Sequence, residues 1–187
     1  MDVWQTPCAQ FIGAIGHHTF FLQDASARAR LQRFCTAIRQ NGVAWFLKRE
    51  YPQGLDKAII VNRIGDALYV VDGNAHLLSL VLCDASITLR ALVQAAGRQH
   101  FVRIWQDGWE AGSGQREAYE TYIPPTTDTT RVPQWRAGVD GFKQPPISIK
   151  IIPSNVPFDS ACFAACDRGR PLQQTAQALT DGGWIRL

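Results

Sequence analysis

The chain has 187 residues, 46% of them hydrophobic and 19% charged, which suits one domain with its own core and excludes a disordered polymer. A net charge of +3 permits contact with nucleic acid but lacks the dense basic excess of a dedicated binder. No run reaches the roughly 18 to 20 apolar residues of a membrane span, and the start, MDVWQTPCAQ, lacks a basic n-region, so a soluble, cytoplasmic protein is expected.

Residues 1 to 22 are apolar with interspersed glycines and read as a strand or arm. His17-His18 on a strand point to opposite faces, which argues against joint metal ligation. Asp24 precedes a helical pattern and suits an N-cap. Ala27, Leu31, Phe34, Cys35 and Ile38 then recur at helical spacing, with Arg28, Arg30, Arg33 and Arg39 on the other faces. Asn41-Gly42 ends this helix. KREYPQG, 48 to 54, gathers bases, an acid and a tyrosine ahead of a Pro-Gly loop.

Residues 58 to 62 form a β-branched run, Gly65-Asp66 a hairpin turn, and residues 68 to 71 its partner strand. After Gly73 the chain reads as a helix to about Leu82, apolar nearly all round and therefore buried. ITLRALVQAAG is a second helical pattern closed by Gly97. HFVRIWQDGWEAG alternates around an Asp107-Gly108 turn. Residues 110 to 146, rich in Gly, Thr, Pro and Gln, read as a long loop or insertion. ISIKIIP, 147 to 153, is a strand, followed by a short helix, the basic turn Arg168-Gly169-Arg170, and a helix from Pro171 to about Leu179.

Five cysteines, Cys8, Cys35, Cys83, Cys162 and Cys166, form no CxxC. Cys162 and Cys166 can share a helix face, but two further zinc ligands at readable spacing are missing. Reduced, buried thiols are expected instead. The absence of a Walker A pattern and of HExxH removes the common ATPase and zinc-protease routes.

The stretch VVDGNAHLL, 70 to 78, places Asp, Gly, Asn and His between two apolar runs, where enclosed polar groups are costly without partners. Gly73 permits a tight turn, and Asn74 can cap the free N–H groups of the helix that follows. A helix N-terminus fed by a glycine turn attracts phosphate. Asp72 beside it can hold Mg²⁺ or accept a proton, and His76 in the first turn can donate to a phosphate oxygen or, protonated, neutralise it. A capped turn and a packed histidine explain the same pattern, so both readings stand at this point.

The stretch resembles the signature of the ParB/sulfiredoxin superfamily, in which a strand ends in a motif such as D-G-x-H-R and an apolar helix follows. The resemblance implies an α/β fold of ParB/sulfiredoxin type over 1–187, a small mixed sheet with flanking helices. It implies phosphate binding at Gly73 and Asn74, and ATP and Mg²⁺ as cofactors with Asp72 as metal ligand. Asp72, His76 and Glu50, the last by likeness to serine-kinase members, become the catalytic candidates. The family's His-Arg pair corresponds here to Ala75-His76, so another cation has to replace the arginine. Arg63 is the first choice, with Lys48, Arg49 and Lys57 behind it.

In length and in its DGNAH variant the chain also resembles plasmid-encoded fertility-inhibition (oncogenic-suppression) members of the superfamily. That likeness implies ATPase and DNase activity and a block on DNA transfer by type IV secretion. DNA and the secretion coupling protein would be the partners, at the inner face of the inner membrane. The rival expectation is a catalytically decayed binding module that inhibits by contact, through exposed Trp105, Trp109 and Trp135.

Overall fold

A computed structural model describes residues 2–14, 17–55, 57–98, 101–106, 109–110 and 169–187. The expected loop at about 110–146, the strand at 147–153, and Trp135, Cys162, Cys166 and Arg168 lie outside these residues, as does the Asp107-Gly108 turn.

The described residues form a mixed α/β fold built on a four-stranded sheet in the order β2-β1-β3-β4. Strand β1 (Ile59–Ile64) and strand β2 (Ala67–Asp72) form the antiparallel hairpin that the Gly65-Asp66 turn foretells, with a register shift between Ile60 and Val61. The chain then leaves the sheet through α4 (Asn74–Cys83) and α5 (Leu89–Ala96). It returns as β3 (Val102–Gln106), parallel to β1, and pairs antiparallel with β4 (Trp109–Glu110). A parallel return requires such a helical crossover. It leaves β1 between two strands, where Ile59, Val61 and Asn62 are fully buried.

Three further helices precede the sheet: α1 (His17–Gln23), α2 (Ala25–Asn41) and α3 (Val43–Glu50). Asp24 caps α2 as its sequence suggests, its Oδ1 accepting from the Ala27 N–H at 2.7 Å. Thr88 caps α5 in the same way, and Gly97 closes it in the left-handed conformation. Helix α4 is wrapped by α2 and by the C-terminal helix α6 (Leu172–Asp181). This explains its unbroken apolar surface: Leu77, Leu78, Leu80, Val81 and Leu82 are all buried.

The N-terminal segment is where the sequence expectation fails in part. Cys8–Gln10 is a 3-10 turn, and residues 17–23 are helical instead of extended. The aromatic and β-branched run HTFF has strand propensity, but packing of Phe21 into the core at helical spacing overrides it. Between them, residues 11–14 do form an arm. Ile12 exchanges backbone hydrogen bonds with Leu68 and Val70 on the free edge of β2, while Gly13 N–H bonds the Arg170 carbonyl and Leu172 N–H the Phe11 carbonyl. The arm joins the sheet edge to the C-terminal helix. Among the described residues no helix is long and apolar enough to cross a membrane.

Candidate functional site

Gly73 makes the junction between β2 and α4. Its φ of +87° is left-handed, and a Cβ there would sit 3.1 Å from both Ile59 Cγ1 and Tyr51 Oη. Only glycine turns the chain here without strain. Asn74, expected as a cap, is instead the first residue of α4, and no side chain caps the helix. Its buried amide works as a brace: Oδ1 accepts from the Ala14 N–H at 3.0 Å and Nδ2 donates to the Val70 carbonyl at 3.2 Å. The first-turn N–H groups of α4 are thereby left uncapped, with the positive end of the helix dipole behind them.

These groups open on a pocket of about 580 Å³. One wall is Asp72, Gly73, Asn74, Ala75 and His76. The other is the α1–α2 corner, with Phe20, Phe21 and Ser26 among its residues, and with Arg30 and Arg33. Asp72 is exposed on this pocket and turns Oδ1 to the Gly73 N–H at 2.7 Å. Asp24 also reaches the pocket, but one of its oxygens is committed to the α2 cap. The cations beside the turn are thus supplied by α2 and not by the strand region. Arg30 lies over the Phe34 ring, 5.1 Å from its centroid.

The cations expected from the sequence sit elsewhere. Arg63 pairs in register with Leu68, near the hairpin turn, and its Nε donates to the Gly65 carbonyl. Four residues of extended strand separate that level from Asp72, about 13 Å. Lys48 lines a separate cavity of about 250 Å³ together with Tyr51 and Arg98. Lys57 is exposed in the segment before β1. None of the three lines the pocket at the turn.

His76 and Glu50, placed far apart in the sequence, do come together. Glu50 Oε2 lies 3.2 Å from His76 Nε2, and Tyr51 Oη lies 3.0 Å from His76 Nδ1. An ionised carboxylate only accepts, so Nε2 carries the proton, and Nδ1 accepts from the Tyr51 hydroxyl. Arg49 completes the chain, its Nε and Nη2 donating to Glu50 Oε1 at 2.8 and 2.7 Å. The imidazole stacks on Phe34 at 5.0 Å and 18°.

Burial lowers the pKa of His76, outweighing the pull of Glu50, so the ring is neutral at pH 7. Burial pushes Glu50 up, but hydrogen bonds from His76 and Arg49 overcome it and hold the carboxyl below its ordinary range. Burial also pushes Tyr51 up, keeping its hydroxyl a donor. Both His76 nitrogens are therefore engaged within the protein, and Glu50 points at His76 and Arg49. Of the three catalytic candidates, Asp72 is the carboxylate that faces the pocket. His76 borders it through a ring held by its neighbours.

Mg²⁺ fits this arrangement in one way. Among the described residues no group of three or more His, Cys, Asp or Glu side chains could cage a metal. Mg²⁺ is commonly held by one or two carboxylates together with substrate phosphates. Asp72, beside uncapped amides and two arginines, matches an ion that arrives with its phosphate ligand.

Trp105 is buried, at 8% exposure, so it is not part of an exposed tryptophan contact surface. The side chains of Trp109 and Trp135 lie outside the described residues. Among the described residues the tryptophans that face solvent are Trp45 and Trp184, each covered on one side by an arginine, Arg49 and Arg28 respectively. Cys8 and Cys35 are buried thiols, as expected, while Cys83 is half-buried.

The sequence reading missed Arg30, Arg33 and Tyr51. The available signal was the i, i+3 spacing of two arginines just ahead of Phe34 on a helix without acidic residues. No family model, curated protein or solved structure matches the chain.

Proposed function

We propose that the pocket between α2 and the Gly73 turn binds the phosphates of ATP and of DNA, and that the chain hydrolyses phosphoanhydride and phosphodiester bonds there with Mg²⁺. One observation carries the reading: Arg30, Arg33, the uncapped N-terminus of α4 and the Asp72 carboxylate line a single pocket. Each part suits a polyphosphate. Helix amides and guanidinium forks bind its oxygens, and a lone carboxylate shares its metal.

The likeness of the DGNAH turn to the ParB/sulfiredoxin signature supports a biological setting for this chemistry. The chain then acts as a plasmid-encoded fertility-inhibition effector, blocking DNA transfer by type IV secretion in association with the coupling protein at the inner membrane. Asp72 positions metal or water, Arg30 and Arg33 take the place of the missing motif arginine, and the Glu50–His76–Tyr51 chain holds the turn in shape.

The test is Mg²⁺-dependent hydrolysis of ATP and of linear DNA by wild type, Asp72→Ala and Arg30→Ala/Arg33→Ala, with folding checked by circular dichroism. Turnover in wild type and its loss in Asp72→Ala supports the reading. Equal rates in all three proteins, or none in wild type, overturns it.

A further inference from the structure

Away from the pocket, α2 and α4 meet at two thiols. Cys35 lies fully buried on α2, and Cys83 ends α4 half-buried. Cys83 Sγ reaches the Cys35 carbonyl at 3.8 Å, and Cys35 Sγ reaches the Ser79 carbonyl, one turn before Cys83, also at 3.8 Å. Each sulfur thus lies against backbone at the α2–α4 contact, Cys83 against the residue that carries the other thiol and Cys35 one turn from Cys83.

We propose that Cys35 and Cys83 are a peroxide-responsive dithiol that closes to a disulfide and pins α2 to α4. Two thiols on facing turns of packed helices, each within 3.8 Å of backbone at the same helix contact, are placed to reach bonding distance by side-chain rotation. The partners are unequal in the way such chemistry uses. The neighbouring Cys35 thiol lowers the pKa of Cys83 against the effect of burial, with Arg39 adding to it, while Cys35 itself is pushed up, first by Cys83 and then by burial. Cys83 is the better nucleophile and the more accessible sulfur; Cys35 is the resolving thiol. Cys8, with a pKa pushed up to about 12 by burial, is inert by comparison.

The step balances with hydrogen peroxide as oxidant. The Cys83 thiolate attacks the peroxide oxygen, the O–O bond breaks, and Cys83 becomes a sulfenic acid as water leaves. The Cys35 sulfur then attacks the Cys83 sulfur, the S–O bond breaks, and a second water carries off the hydroxyl and the thiol proton. Two thiols lose two electrons, and the peroxide is reduced to water. The bond would fix the helix carrying Arg30 and Arg33 against the helix whose N-terminus opens on the pocket. The inference does not depend on what that pocket binds.

The experiment treats the full chain with hydrogen peroxide, blocks remaining thiols, and maps cysteine peptides by mass spectrometry without reduction. A Cys35–Cys83 linked peptide is expected in wild type, lost on treatment with dithiothreitol. In Cys35→Ser, dimedone is expected to trap a sulfenic acid at Cys83 that wild type does not accumulate. Cys83 left unmodified in wild type, oxidised without linkage, or joined to any other cysteine overturns the proposal.

Discussion

His76 shows how a single side chain is decided by its neighbours. With Glu50 on one nitrogen and the Tyr51 hydroxyl on the other, the neutral ring is fully satisfied, and burial penalises its charged form. The folded pKa lies below the ordinary 6.5, so the unfolded chain binds this proton more tightly than the native one. The stability that His76 contributes is complete above that ordinary value and is lost as pH falls through the folded value. Urea midpoints measured from pH 7 down to pH 5 should therefore fall more steeply for wild type than for His76→Gln. Parallel profiles would mean that the ring takes its proton without cost. Tyr51→Phe removes the donor to Nδ1 and leaves a buried acceptor unpaired, a loss of about 1 to 3 kcal/mol in chemical denaturation. Gly73→Ala adds a methyl group at a left-handed φ, within 3.1 Å of Ile59 and Tyr51, and should cost about 2 kcal/mol by the same measurement.

At the scale of elements, the pocket depends on α2 facing the start of α4. Removing either arginine takes away charge-assisted hydrogen bonds, so Arg30→Ala and Arg33→Ala should each weaken ATP binding by roughly tenfold or more in a fluorescence or calorimetric titration. Arg63→Ala should leave binding unchanged, because Arg63 sits at the hairpin end of β1 and bonds Gly65. If Arg63 matters and the α2 pair does not, the site lies elsewhere. The elements themselves were largely legible. Acid-capped α2, the hairpin around Gly65-Asp66, the all-apolar α4 and the Gly97 stop of α5 follow from capping, turn chemistry and periodicity, which are local. The source of the cations was not legible. Arg30 and Arg33 are about 40 residues from the turn, and on a helix surface they have the pattern of solvated charge. Only the packing of α2 on α4 reveals which way they face. Helix α1 was missed for a related reason, since HTFF carries β propensity that tertiary burial overrules.

Among the described residues the N-terminal arm joins the sheet to the C-terminal helix, and Asn74 is where that junction meets the pocket. The arm at residues 11–14 bonds β2 through Ile12, the C-terminal segment through Gly13 and Phe11, and Asn74 through the Ala14 N–H. Gly169 lies so close to this arm that a Cβ there would stand 2.6 Å from the Gly13 carbonyl oxygen. Sequence pattern alone made Asn74 a helix cap, because Asn after a glycine turn is a common capping arrangement. The third dimension brings the arm past it and recruits the amide as a strut between the N-terminus, β2 and α4. Asn74→Ala would leave the Ala14 N–H and the Val70 carbonyl without this buried partner, a loss of roughly 2 to 4 kcal/mol. Because the strut holds the arm, hydrogen exchange should rise in residues 11–14 and at the start of α6 together, 60 and about 100 residues from the substitution in sequence. Exchange that rises only at α4 would show that the arm is held by its backbone bonds to the sheet edge, and that Asn74 is a local feature of the turn.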